Sequence, residues 1–183
     1  MYERFGLFID GQWAKPIMGK TAAVFSPVTE DVLGDSPYAS IEDTAAAVAS
    51  AEVGFKAWRA TAAFTRADSI HRIADEMTRR TDEAARMISM ETGKPIAQAQ
   101  REWALSIDQF RWYAEEARRI YGRIVESRVP NGRFEIHHEP VGIVAAFTAW
   151  NFPAFLIARK VAPAIAAGCS VIVRPSSQTP GVA

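Results

Sequence analysis

The 183-residue sequence predicts an α/β fold: a helical region followed by a strand–helix–strand unit that starts a doubly wound parallel sheet. Three observations predict it. Apolar residues recur at helical spacing from about residue 40 to residue 121, opened by a capping box at Ser40 and Asp43. After Gly122 the pattern changes to alternating apolar and charged residues around Pro130, Asn131 and Gly132, which reads as an exposed hairpin projecting from the body. From Val141, two apolar runs bracket one further helix, the pattern of a right-handed parallel crossover.

The elements follow in order. Phe5 to Ile9 and Gln12 to Ala14 flank Asp10 and Gly11, a two-residue signal for a tight hairpin. Val24 to Ser26 and Val32 to Ser36 read as short strands punctuated by Pro27 and Gly34. Ser40 opens an Ala-rich helix with Ala47, Val48, Ala51 and Phe55 as its apolar positions. A second helix is expected over Thr65 to Met90, with Ile70, Ile73, Ala74 and Met77 at helical spacing, ended by Gly93, Lys94 and Pro95. A third is expected over Ile96 to Tyr121, with Trp103, Ile107 and Phe110 on one face and Gly122 as its C-cap. Ile124 to Val129 and Arg133 to Glu139 are the hairpin strands. Val141 to Phe147 reads as a buried parallel strand, Phe152 to Ala167 as a helix closed by Gly168, and Ser170 to Val173 as a second buried strand. Thr179 and Pro180 have the form of an N-cap and first helical position. The sequence therefore stops where another helix is expected to begin. Two parallel strands are too few for an independently stable sheet, so the expectation is part of a larger protein.

Composition narrows the function. At 49% hydrophobic and 23% charged residues the chain is an ordinary globular protein. Lysine plus arginine equal aspartate plus glutamate at 21 each, so no charge excess points to nucleic acid or to an anionic membrane. The single cysteine, Cys169, forms neither an internal disulfide nor a cysteine-based metal cluster, and fits a reducing compartment. The first residues have no basic, apolar leader pattern and no run is long enough to span a membrane. A cytoplasmic protein is expected.

Standard motifs are largely missing. Neither G-x-G-x-x-G nor G-x-x-x-x-G-K-[ST] occurs. His71, His137 and His138 lack metal-ligand spacing, so no metal site is expected. Cys169 reads as a small core residue, and Asp75, Glu76, Asp82 and Glu83 alternate with arginines as a solvated helix face. What remains lies at the strand ends. Open parallel sheets bind ligands beyond the carboxyl ends of their strands, where this sequence places Thr148, Trp150 and Asn151, then Arg174, Ser176 and Ser177. A nucleotide or substrate site fits these residues. So does plain packing: a Trp sealing the sheet mouth, an Asn capping a helix and a solvated loop.

The stretch EPVGIVAAFTAWNFPAFLIARKVAPAIAAGCSVIVRPSSQTP resembles the aldehyde dehydrogenase superfamily in two linked blocks, E-P-x-G leading to P-W-N-F-P and A-A-G-C leading to K-P-x-x-x-T-P. METGKPIAQAQREW resembles that family's E-x-G-K-P helix junction, and FIDGQW its opening hairpin. WYAEEARRIYG and SSQTP are similar to the succinate-semialdehyde dehydrogenase branch. The resemblance covers essentially the whole chain. It implies the N-terminal part of an aldehyde dehydrogenase-like, Rossmann-like fold, with residues 1–123 and 140–183 in the cofactor-binding domain, 124–139 as an oligomerisation hairpin, and no catalytic domain in this chain.

The activity implied is oxidation of an aldehyde to an acid with NADP or NAD. In the family a cysteine thiolate attacks the aldehyde, an Asn amide and a backbone N–H hold the oxyanion, hydride leaves to the nicotinamide, and a glutamate-activated water releases the acid. Asn151 matches the oxyanion Asn, a donor that stabilises developing charge without titrating. Phe147, Thr148, Ala149 and Trp150 fall where the family lines the cofactor channel, and Phe152 at the substrate tunnel. Arg174, Pro175, Ser176 and Ser177 occupy the segment that meets the adenosine ribose. Three departures stand out. Arg174 replaces the family lysine, a change of shape as well as of donor geometry. Ala149 replaces the usual proline. Ser177 stands where strictly NAD-dependent members often keep a glutamate, which leans the reading towards NADP. Arg159 matches an arginine that binds the distal carboxylate of succinate semialdehyde; a solvated helix arginine is the other reading.

The nucleophilic cysteine, the base glutamate and the G-x-T-x-x-G segment all belong beyond residue 183. Turnover by this chain alone is not expected. The alternative is a short non-catalytic module of the same fold that binds nucleotide, or that pairs through the hairpin. A homo-oligomer through residues 124–139 is the expected assembly of the complete protein.

Overall fold

The computed structural model describes residues 6–183. Phe5, expected in the first hairpin, lies outside them. Strands β1 (Leu7–Ile9) and β2 (Gln12–Ala14) pair antiparallel around Asp10 and Gly11, whose φ values of 54° and 72° form the positive-φ turn that the dipeptide favours. Strands β3 (Thr21–Phe25) and β4 (Val32–Pro37) make a second antiparallel pair.

Helix α1 (Ile41–Arg59) opens on the predicted capping box. Ser40 Oγ accepts from the Asp43 N–H, and Asp43 Oδ2 accepts from the Ser40 N–H. The expected single helix over Thr65–Met90 is in fact two, α2 (Ala63–Arg79) and α3 (Thr81–Thr92). The break is Arg80, at φ −98° and ψ 15°, whose N–H is shared between the Glu76 and Met77 carbonyls. Asp82 and Glu83 then occupy the first turn of α3, an acidic start favoured by the helix dipole. Gly93 ends α3 at φ 73°, the left-handed conformation glycine adopts without cost.

Helix α4 (Ile96–Ala117) stops four residues short of Tyr121, with Arg118 as its cap. Gly122 is therefore not the C-cap. It begins the hairpin of β5 (Arg123–Glu126) and β6 (Arg133–Ile136), where a Cβ would lie 2.3 Å from the Ile136 carbonyl oxygen. Close backbone approach explains this glycine. Both hairpin strands are largely exposed, including Ile124 and Phe134.

Strands β7 (Ile143–Phe147) and β8 (Ser170–Arg174) pair in parallel, from Ile143 opposite Ser170 to Phe147 opposite Arg174, across helix α5 (Pro153–Ala166). The expectation of a buried β7 beginning at Val141 needs correction. Val141 is 90% exposed and precedes the strand. Within β7, Ala146 is buried while Ala145 and Phe147 point to an uncovered side. Successive strand residues face opposite ways, and the described chain covers one face.

The core lies between helices. Ile70, Ile88, Trp103, Ile107 and Phe110 fill it, with an alanine row at 154, 158, 162 and 166 laying α5 closely against α4. Trp103 Nε1 donates to the Met77 carbonyl at 2.8 Å. The last carbonyls of α5 take side-chain donors from the other end of the sequence: Trp58 Nε1 on Ile165 at 2.8 Å and Arg66 Nε on Ala166 at 3.2 Å. Pro180 and Ala183 close one turn at 3.3 Å, and no helix follows Thr179 within the chain. No helix among the described residues is long and apolar enough to cross a membrane.

Candidate active site at the carboxyl edge of the parallel strands

Because β7 and β8 run the same way, the loops that leave them start from one edge. Phe147 is the last residue of β7 and Arg174 the last of β8, and they are register partners. Thr148 N–H extends the ladder by one bond, to the Arg174 carbonyl at 3.3 Å. Farther out, Thr179 Oγ1 lies 3.5 Å from the Trp150 carbonyl. The segments Phe147–Asn151 and Arg174–Ser177 are therefore held side by side.

The local surface is apolar with polar groups set into it. Phe147, Trp150 and Phe152 are 67%, 55% and 46% exposed, three large aromatic side chains that a solvated loop does not require. Ala149 and Asn151 are exposed between them. Thr148 Oγ1 is buried with no hydrogen-bond partner among the described residues. Arg174 and Ser177 are exposed, Pro175 and Ser176 half-buried. Ser176 Oγ accepts from the Gln178 N–H at 3.2 Å and so shapes its own loop.

Asn151 is not the cap of α5. That position is Phe152, with φ −137° and ψ 66°, and no side chain of its own loop caps the helix. The packing explanation of Asn151 thus loses its main support. The cap is instead Glu102 of α4, whose Oε1 accepts from the Ala154 and Phe155 amides at 3.0 and 3.3 Å. Sequence reasoning missed this residue. The signal was present, since Glu102 stands between Ala99 and Ser106 on the buried stripe of α4, where a carboxylate needs a partner.

Arg159 lies on α5, exposed, with its guanidinium 5.7 Å from the Phe155 ring centroid. The cation facing the Phe152 ring is Lys94, at 4.4 Å. Cys169 is buried immediately before β8, at the opposite end from the site, about 16 Å away along the strand. Among the described residues no group of three or more His, Cys, Asp or Glu side chains could hold a metal ion.

Comparison with known proteins agrees with this architecture. The family model described as "Aldehyde dehydrogenase family" matches residues 13–183. Glutarate-semialdehyde dehydrogenase of Pseudomonas aeruginosa is 39% identical over 173 residues, covering 94% of this chain and 36% of the relative. The NADP(+) succinate-semialdehyde dehydrogenase of Escherichia coli is 38% identical over 172 residues, again 94% and 36%. The solved structure of succinate-semialdehyde dehydrogenase from Burkholderia pseudomallei superposes with a TM-score of 0.94 at 38% identity, over 97% of this chain and 37% of that one. The chain thus spans just over a third of these relatives, from their N-terminal side. Sequence blocks, parallel-strand edge and backbone superposition coincide, and the chain belongs to the aldehyde dehydrogenase family.

Proposed function

We propose that this chain is the N-terminal, coenzyme-side part of an enzyme that oxidises a carboxylate-bearing semialdehyde, succinate semialdehyde or a close analogue, to the acid with NADP or NAD. The observation that carries the reading is the shared edge of β7 and β8, from which the segment with exposed Asn151 and the Arg174–Ser177 loop both leave.

The residues present suit such a coenzyme. Arg174 offers an exposed cation, Ser177 leaves its loop without a carboxylate, and the Thr148 hydroxyl is buried with an unused donor. Arg174 and Ser176–Ser177 would hold the adenosine ribose, and Phe147–Trp150 would line the channel. A 2′-phosphate meets no repulsion at Ser177 and gains a charge-assisted donor at Arg174, in keeping with the NADP(+) named for the Escherichia coli relative. When bound, the nicotinamide would supply the hydride acceptor. The chain's own residues bind and orient. The Asn151 amide donates to the oxygen that becomes negative as the aldehyde is attacked, and a preorganised donor is worth most there because it needs no reorganisation. The exposed aromatic side chains of the segment help keep water from the reacting carbon, and Arg159 receives the distal carboxylate. The nucleophile and the base come from outside this chain.

The test is an assay of the complete protein on succinate semialdehyde with each coenzyme, beside the 183-residue chain. The complete protein should turn over faster with NADP, and the chain alone should not. A chain that binds coenzyme, in a complete protein that oxidises no aldehyde, would instead support a non-catalytic nucleotide-binding module.

A further inference from the structure

One buried charge pair grips the Asn151 loop from two sides. Glu102 is 2% exposed. Its Oε1 takes the Ala154 and Phe155 amides, the first free donors of α5, and its Oε2 takes Lys94 Nζ. Lys94 Nζ donates also to the Asn151 carbonyl at 3.0 Å and stacks on Phe152. Every oxygen of the carboxylate is used, which is the condition for burying a charge without large cost.

The consequence is geometric. The backbone before Phe152 is tied through the Asn151 carbonyl, the backbone after Pro153 through two amides, and both ties end on the same ion pair. The Phe152 carbonyl between them accepts the Leu156 N–H at 2.9 Å, a bond within the first turn of α5 itself, whereas the ion pair ties the loop to α4. The exposed Asn151 side chain makes no hydrogen bond of its own among the described residues, so its position follows from the backbone that Lys94 and Glu102 hold. Misplacement of a donor by about 1 Å can cost on the order of a hundredfold in rate.

We propose that Lys94 and Glu102 are positioning residues for Asn151: a cross-helix ion pair, supplied by the α3–α4 junction and by α4, fixes the site's amide donor. This rests on the oxyanion reading of Asn151 given above.

The test uses the complete enzyme carrying Lys94→Met with Glu102→Gln, a pair of changes that leaves neither charge buried alone while Met keeps a stem over Phe152. The expected result is a kcat lowered about tenfold with the NADP dissociation constant unchanged. Combined with Asn151→Ala, the pair should lower kcat no further than Asn151→Ala does alone, because both act through one group. In the coenzyme-free protein, amide exchange over residues 151–155 should quicken about tenfold. A wild-type kcat in the paired variant beside an impaired Asn151→Ala overturns the proposal, as do multiplicative losses or unchanged exchange. If the paired variant does not fold, Lys94→Arg, which keeps a cation against Glu102 but shifts the donor from the Asn151 carbonyl, is read the same way. A wild-type kcat for Asn151→Ala itself overturns the oxyanion reading, and the positioning role with it.

Discussion

Phe147 and Arg174 are direct partners at the last position of a parallel ladder, so the segment with Asn151 and the segment with Ser177 leave the sheet together. This one pairing turns two stretches 27 residues apart in sequence into one edge (174 minus 147). The proposed coenzyme and oxyanion functions both depend on it.

Arg174 should set the coenzyme preference. Replacing it with Ala removes a charge-assisted donor worth about 1.5–3 kcal/mol. NADP affinity should fall roughly ten- to a hundredfold, and NAD affinity, which loses only a ribose contact, should fall less. Titrating both coenzymes into wild type and variant gives the ratio; equal losses would place Arg174 outside the 2′-phosphate site.

Arg159 should select the substrate. A semialdehyde with a distal carboxylate gains a charge-assisted bond that an uncharged aldehyde cannot make, so Arg159→Gln should lower kcat/KM on succinate semialdehyde roughly ten- to a hundredfold. An uncharged aldehyde of similar length should lose far less. If both efficiencies fall equally, Arg159 serves only its contact with Phe155.

Asp43 should make the start of α1 sensitive to acid. The Ser40 backbone N–H, with help from the Ser40 hydroxyl and the Ile17 N–H, holds its carboxyl below the usual range. A depressed folded-state pKa stabilises above the unfolded value, near 4, and that stability is lost as pH falls through the lower folded value. The stability gap between wild type and Asp43→Asn, measured by denaturant melts, should be present at pH 7 and close below about pH 4. A gap that persists at pH 2 would contradict the assignment.

Gly122→Ala should open the β5–β6 hairpin at its first pair. The added methyl would meet the Ile136 carbonyl oxygen at 2.3 Å, and the backbone shift needed costs about 1–3 kcal/mol. Amide exchange across residues 122–136 should rise. If the hairpin is the oligomer contact, sedimentation of the complete protein should also show smaller species; a variant with wild-type exchange would remove the steric argument.

What could be read in the sequence was local. The Ser40–Asp43 box and the Asp10–Gly11 turn each declare themselves within four residues, and both stand as expected. The strand–helix–strand unit was legible because its apolar runs are uninterrupted. The break at Arg80 was not, since periodicity continues across it; the start signal of Asp82 and Glu83 was the available clue. The early end of α4 was masked because Arg118 to Tyr121 are acceptable helix residues. Glu102 was least legible, because its partners Ala154 and Phe155 lie 52 and 53 residues away. Of the site itself, the sequence placed Asn151 and Arg174 at strand ends, but only the register of β7 on β8 puts those ends together.

The most direct measurement of the central claim is single-turnover aldehyde oxidation by the complete enzyme carrying Asn151→Ala. Loss of one oxyanion donor should slow the chemical step on the order of 10²-fold or more, with NADP binding unchanged because the proposed coenzyme contacts are assigned to other residues. A variant that keeps the wild-type rate of the chemical step would contradict the account, leaving Asn151 as an exposed loop residue with no part in the reaction.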